Sequence, residues 1–337
     1  MSTVEIRNIW KIFGPNPEYV LNTIQPGDTR REVRQKTGHV IAVREVSLDV
    51  AKGEVFVVMG LSGSGKSTLV RCLSRLIEPT VGEVLINDTN VTKMSESELR
   101  HLRRHTVSMV FQRFGLFPHR RVIDNVAYGL EVRGLEVDER RKIANEVLEL
   151  VGLENWGTRY PHELSGGMQQ RVGLARALAV DPEIMLCDEP FSALDPLIRR
   201  DMQNELLKLQ QSLQKTIIFI THDFLEAIKL GDRIAIMKDG EIVQVGTSQE
   251  IVANPSNDYV REFTQDVPRA KVLTAGSIMQ PGNQSTDQGM VIPFNTTLEE
   301  LIPMLVGSSE SRPVVDVDGN VVGSVDQKTL LMALSGK

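Results

Sequence analysis

The 337-residue sequence is poor in cysteine, in aromatic residues and in long apolar runs. Its two cysteines, Cys72 and Cys187, exclude a disulfide framework. One follows a glycine-rich loop and the other lies within an apolar run, so both are expected as buried, reduced thiols packing as small hydrophobes. No apolar stretch reaches the about eighteen residues a membrane-spanning helix needs, and the N-terminus, MSTVEIRNIW, carries charge where a secretion leader requires an apolar core. A cytoplasmic chain that cannot cross a membrane by itself is expected. An excess of basic charge is also missing: 38 Lys and Arg against 44 Asp and Glu give a formal charge of -6. That balance argues against a protein that binds nucleic acid by broad phosphate neutralisation, and no nucleic-acid partner is expected.

What is present is ordinary globular composition, 41% hydrophobic and 24% charged, at a length that suits one large domain and a small one. Residues 1 to 14 alternate as a strand, and VIAVREVSLDV and GEVFVVMG read as two more, the latter apolar enough to be buried on both faces. Between them lies a charged segment, Pro15 to Gly38, in which Thr29 is placed to cap a short helix through Glu32. Residues 66 to 77 look helical, about 120 to 180 follow a helical pattern, and PEIMLCDEP and KTIIFITHD are apolar strands flanking the helix PLIRRDMQNELLKLQQSL. Strands alternating with helices imply a largely parallel α/β sheet, whose ligands sit beyond the carboxyl ends of the strands. Asp239-Gly240 marks a hairpin turn. The large domain is expected over 1–268, and residues 271–337 read as a separate small module with a helix near 297 to 306.

The most specific local feature is GLSGSGKST, residues 60 to 68. It has the spacing of a phosphate-binding loop of P-loop NTPases, after a buried strand and before a helix. Gly60, Ser62, Gly63, Ser64 and Gly65 shape a backbone that offers N–H groups to phosphate oxygens. Lys66 reaches the β and γ oxygens, and Ser67 beside Thr68 is a magnesium ligand. Asp188 ends the strand IMLCDE, where its carboxylate can hold the magnesium shell opposite Ser67. Glu189 follows as the base that orients the attacking water. Gln112 and His222 end two further strands; Gln112 is suited to the magnesium and its waters, His222 to the γ-phosphate. A second helix opening, LSGGMQQR, has Ser165, Gly166 and Gly167 at its N-terminus, another natural phosphate site. One loop already saturates the phosphates of its own nucleotide, so the second predicts a head-to-tail dimer with ATP between the copies.

Taken together these residues resemble the ATP-binding subunit of ATP-binding cassette (ABC) transporters, over about residues 40 to 265. GLSGSGKST is similar to its Walker A motif, Gln112 to its Q-loop, LSGGMQQ to its signature motif, IMLCDEP to its Walker B strand, Ser192 to Asp195 to its D-loop, and His222 to its switch histidine. The resemblance implies ATP and Mg2+ as cofactors, with Asp195 at the nucleotide interface and a helical subdomain at about 115–180. It also implies an aromatic residue that stacks on adenine. Phe13 is the candidate, with plain core as the alternative, because the segment Pro15 to Gly38 interrupts the usual interval and leaves Thr37 nearest the next strand.

FGPNP, the charged insertion, FQRFGLFPHR and VPRAKVLTAGSIM resemble more narrowly the ATPases of importers for glycine betaine, proline betaine, choline, carnitine and related methylated amines. That implies a separate membrane permease, received near Arg113 to His119 with Phe114, Leu116 and Phe117 as an apolar socket. It further implies a periplasmic or extracellular substrate-binding protein and a peripheral position on the inner face of the cell membrane. RPVVDVDGNVVGSVDQKTLLMAL resembles a single cystathionine-β-synthase (CBS) module, either regulatory or only supporting dimerisation. The alternatives are the ATPase of another solute importer, a soluble cassette protein of repair or translation, and a kinase. The last leaves LSGGMQQR and His222 without a purpose.

Overall fold

The computed structural model describes all residues except 1, 26, 113–114, 193, 282–290, 308–309 and 336–337. The chain divides into two compact units, the first Met1–Glu226 with Leu230–Ile242 and the second Ala227–Lys229 with Val243–Lys337.

The first unit holds two sheets where the alternation of strands and helices suggested one. Strands β1 (Ser2–Phe13), β2 (Val40–Ala51), β4 (Val81–Ile86) and β5 (Thr89–Asn90) form an antiparallel sheet in the order β2-β1-β4-β5. The expected parallel sheet is built from β3 (Val55–Met59), β6 (Val107–Val110), β7 (Ile184–Asp188), β8 (Thr216–Thr221) and β9 (Arg233–Lys238). With β10 (Glu241–Gly246), whose residues from Val243 on belong to the second unit, its order is β10-β9-β3-β8-β7-β6. The distinction is physical. β3, β7 and β8 are buried along their whole length, as strands covered on both faces must be, whereas β2 mixes buried and exposed positions as an open antiparallel strand does.

Valines and isoleucines of both sheets meet in one core that includes Ile9, Val43, Phe56, Val58, Leu69, Ile184 and Ile220. Cys72 and Cys187 lie in such surroundings, buried and unpaired, and burial pushes each thiol up to about 12. Asp239 and Gly240 both adopt positive φ, 48° and 87°, the left-handed pair a tight hairpin turn requires. The helix expected over 66 to 77 stops at Leu73, because Ser74 caps it and Arg75 turns to a φ of 49°.

The second unit carries its own small core, with Leu273, Ile292, Leu298, Leu301, Leu305, Val314, Val325 and Leu330 buried. Its sheet runs in the order Gln280–Pro281, Val321–Val325, Arg312–Val315, Ile292–Pro293; the helix Leu298–Leu305 lies at the expected position, and a last helix spans Gln327–Ser335. Arg269 ties this unit together, donating to the carbonyls of Val252 at 3.0 Å and Ala333 at 3.2 Å.

Candidate functional site

The carboxyl ends of β3, β7 and β8 bring the polar residues expected of a nucleotide site into one place. The loop after β3 is held by contacts that only glycine tolerates. A Cβ on Gly60 would stand 2.2 Å from the Met237 carbonyl oxygen, and one on Gly65 2.1 Å from that of Ala42. Gly63 has open space around it but a φ of 79°. The helix Lys66–Leu73 then starts on Gly65, with its first N–H groups facing the loop.

Lys66 is 4% exposed. Its ammonium donates to the carbonyls of Gly60 at 2.8 Å and Leu61 at 3.1 Å, and lies 3.6 Å from Glu189. Burial pulls its pKa below the usual lysine value, and the Glu189 carboxylate opposes that shift. The Ser67 hydroxyl donates to Asp188 Oδ1 at 2.7 Å while Arg71 Nη2 donates to Oδ2 at 2.9 Å, so Asp188 is 1% exposed yet paired on both oxygens.

Glu189 is the hub of a second cluster. Its Oε2 accepts from Gln112 Nε2 at 3.2 Å and lies 3.4 Å from His222 Nδ1, and Gln112 Nε2 also reaches Ser192 Oγ at 3.4 Å. Glu189 adopts a φ of 45°, a left-handed conformation rare for a residue with a side chain, directly after β7. Backbone strain of this kind collects at functional sites. Gln112 thus joins Glu189 and Ser192, and its hydrogen bonds do not run to Ser67 or Asp188.

Ser165 caps the helix Gly166–Ala179, accepting from Met168 N–H at 3.4 Å. Gly166 leaves open space where a side chain would be. Gly167 does not: a Cβ there would lie 2.5 Å from Ile198 Cγ2, so this glycine is demanded by helix packing. Asp195 caps the helix Pro196–Leu213, accepting from Leu197 and Ile198 N–H at 3.1 Å each, and Ala193 of the same loop lies outside the described residues. Phe13 is 43% exposed, which overturns the core alternative, and Lys11 Nζ sits 5.0 Å from its ring centroid.

Of the expected permease contact, Arg113 and Phe114 lie outside the described residues. Leu116 and Phe117 are half-buried, and the Phe117 ring packs on Tyr128 at 4.6 Å. Asn125, which sequence reasoning passed over, organises that turn: fully buried, it donates to the carbonyls of Phe117, Arg120 and Arg121 and accepts from Phe117 N–H at 2.7 Å. A second missed residue, Arg199, donates to the carbonyls of Phe191 at 3.2 Å and Leu194 at 3.1 Å and approaches Asp223 at 3.8 Å.

A family model described as ABC transporter matches residues 43–192. The trimethylamine N-oxide transport system ATP-binding protein TmoW of Ruegeria pomeroyi is 51% identical over 97% of this chain and 96% of its own length. The chain belongs to the ATP-binding subunits of ABC transporters. Within that family it is also 55% identical to the glycine betaine/proline betaine transport system ATP-binding protein ProV of Escherichia coli, over 82% of this chain and 69% of ProV. A dimeric ATP-binding cassette solved in a post-hydrolysis state with ADP and Pi superposes with a TM-score of 0.61 at 34% identity, over 72% of this chain and 98% of that one.

Proposed function

We propose that the chain hydrolyses ATP to drive import of a quaternary or methylated amine through a separate membrane permease. The single observation that carries the catalytic part is the convergence of Lys66, Gln112 and His222 on Glu189 beside the phosphate loop. The amine class is supported by relatives named for trimethylamine N-oxide, glycine betaine and proline betaine transport.

In this reading the loop N–H groups and Lys66 bind the β- and γ-phosphates. Ser67 and Asp188 present two hard oxygen donors that fit magnesium, an ion that keeps phosphate and water oxygens for its other positions. When bound, the ion neutralises phosphate charge as it shifts toward the leaving oxygen. Gln112, whose amide donates to Glu189 and Ser192, would hold the ion's water shell from the Glu189 side. Glu189 orients and deprotonates the attacking water, and His222 holds the γ-phosphate oxygens.

Ser165 and Gly166 face the nucleotide of a second copy in a head-to-tail homodimer, where Asp195 lines the interface and the open N-terminus of the helix Gly166–Ala179 meets the γ-phosphate. Phe13 stacks on adenine. The segment Gly115 to His119, braced by Asn125, receives the permease and keeps the subunit peripheral on the inner membrane face, while a substrate-binding protein delivers the solute outside. Residues 271–337 act as a CBS-like support for the dimer.

Uptake of labelled glycine betaine, choline, carnitine and trimethylamine N-oxide, with and without Lys66→Ala, tests the reading. Loss of uptake for one amine names the substrate. Unchanged uptake of all four rejects the amine class.

A further inference from the structure

Residues 15–38 separate β1 from β2 and hold none of the side chains assigned above to ATP chemistry. They are nonetheless built to a fixed position. Val20 and Val33 pack with Ile12 and Ile41 in a small core of their own. The helix Arg30–Thr37 opens on a capping box formed by Thr29 and Glu32. Asp28 takes the Lys36 ammonium at 2.8 Å, and its carbonyl accepts from Arg44 Nη1 at 2.7 Å. Val33 lies three residues beyond Arg30, on the same helix face, so burying Val33 also fixes the face from which Arg30 projects.

Arg30 reaches three main-chain carbonyls. Its Nε donates to Ile41, its Nη2 to Ala42 at 2.8 Å, and its Nη1 to Gly63 of the phosphate loop at 2.9 Å. The Asp239 carboxylate stays 3.9 Å away, so carbonyl dipoles hold the guanidinium more closely than any counter-ion does. These acceptors bear directly on the loop. The Ala42 oxygen is the atom against which Gly65 is packed, and the next loop carbonyl, Ser64, accepts from Gly240 N–H at 2.9 Å. Two consecutive loop carbonyls are therefore drawn to the protein side. Across a trans peptide the N–H points opposite to the C=O. Ser64 N–H, behind the carbonyl that Arg30 holds, donates to Leu61 at 3.1 Å and closes the loop's turn. Gly65 N–H, behind the Ser64 carbonyl, is turned away from Gly240, the orientation a phosphate-binding nest needs.

We propose that Arg30 is a positioning residue of the phosphate loop, through which the segment between β1 and β2 sets the affinity for the phosphates of ATP. The inference rests on the reading that this loop binds ATP. A lysine at the same place supplies the charge without the planar fork, which separates geometry from electrostatics.

The test is titration of the full-length chain with a fluorescent ATP analogue, for the unsubstituted protein, Arg30→Met and Arg30→Lys, reading both Kd and sites per chain. Both substitutions are expected to raise Kd about tenfold at an unchanged number of sites. A role in folding alone would lower the number of sites and leave Kd as it was, and that result overturns the proposal. So does an unchanged Kd in Arg30→Met, or a native Kd in Arg30→Lys. Failure of the unsubstituted chain to bind the analogue rejects the nucleotide reading itself, before any variant is compared, and this inference with it.

Discussion

The Ser67 hydroxyl donates to the Asp188 carboxylate at 2.7 Å, joining the first turn after the phosphate loop to the tip of β7 across 121 residues of chain. Arg71 holds the other carboxylate oxygen, so the charge of Asp188 is fixed at one depth and one orientation. Asparagine keeps an acceptor there and removes the charge. Asp188→Asn is expected to raise the magnesium concentration needed for half-maximal phosphate release, on the order of 10–100-fold. An unchanged magnesium dependence would remove Asp188 from the ion's surroundings.

Glu189 gathers an ammonium, an amide and an imidazole within 3.6 Å, 3.2 Å and 3.4 Å. Glutamine retains the shape and an oxygen acceptor for Gln112 but cannot take a proton. Glu189→Gln is expected to slow phosphate release by about 10²–10⁴-fold while ATP still binds. Single-turnover hydrolysis beside a binding titration separates the two, and hydrolysis at the native rate would falsify Glu189 as the base.

The grouping of the candidate site residues was legible wherever they lie in contiguous stretches of sequence. The phosphate loop, Asp188 and Glu189 each follow or end an apolar strand, and their spacing alone carries the meaning. The capping box of Thr29 and Glu32 was equally local. What the sequence hid depends on partners far along the chain. Arg30 looks like one charge among several until it meets Gly63, and Asn125 like a loop polar residue until its amide is seen closing the turn at Phe117. The second sheet was hidden for the same reason, since the partners of β1 are set by pairing across the chain and no local pattern states them.

Gly166 and Gly167 are neighbours with separable duties. A methyl group on Gly167 meets Ile198 at 2.5 Å, and Gly167→Ala is expected to destabilise the fold by about 1–3 kcal/mol. Gly166 has free space, so Gly166→Ala should leave stability unchanged or slightly raised, by less than about 1 kcal/mol. It should still impair hydrolysis if, as proposed, the second copy's nucleotide approaches at Gly166. Thermal melts of both variants beside their phosphate release decide the point; equal melting losses would show that packing, and not nucleotide access, governs both glycines.

Glu226 gives the stability of the first unit a pH dependence. It is 6% exposed; Gln203 Nε2 donates to it at 2.9 Å, and burial pushes its pKa above the ordinary value of 4.5 while the Thr221 and Gln203 hydrogen bonds pull the other way. Between 4.5 and the raised value the folded chain keeps this proton and the unfolded chain has lost it. Stability contributed by the protonated form is therefore complete below 4.5 and is lost as pH rises through the folded value, at a rate of about 1.4 kcal/mol for each pH step between the two. Glu226→Gln keeps the acceptor for Gln203 and cannot ionise. Denaturant midpoints measured from about pH 5 to 8 should fall for the unsubstituted chain relative to the variant, with the two curves closest at the acid end. Parallel curves would mean that Glu226 holds the same charge across that range.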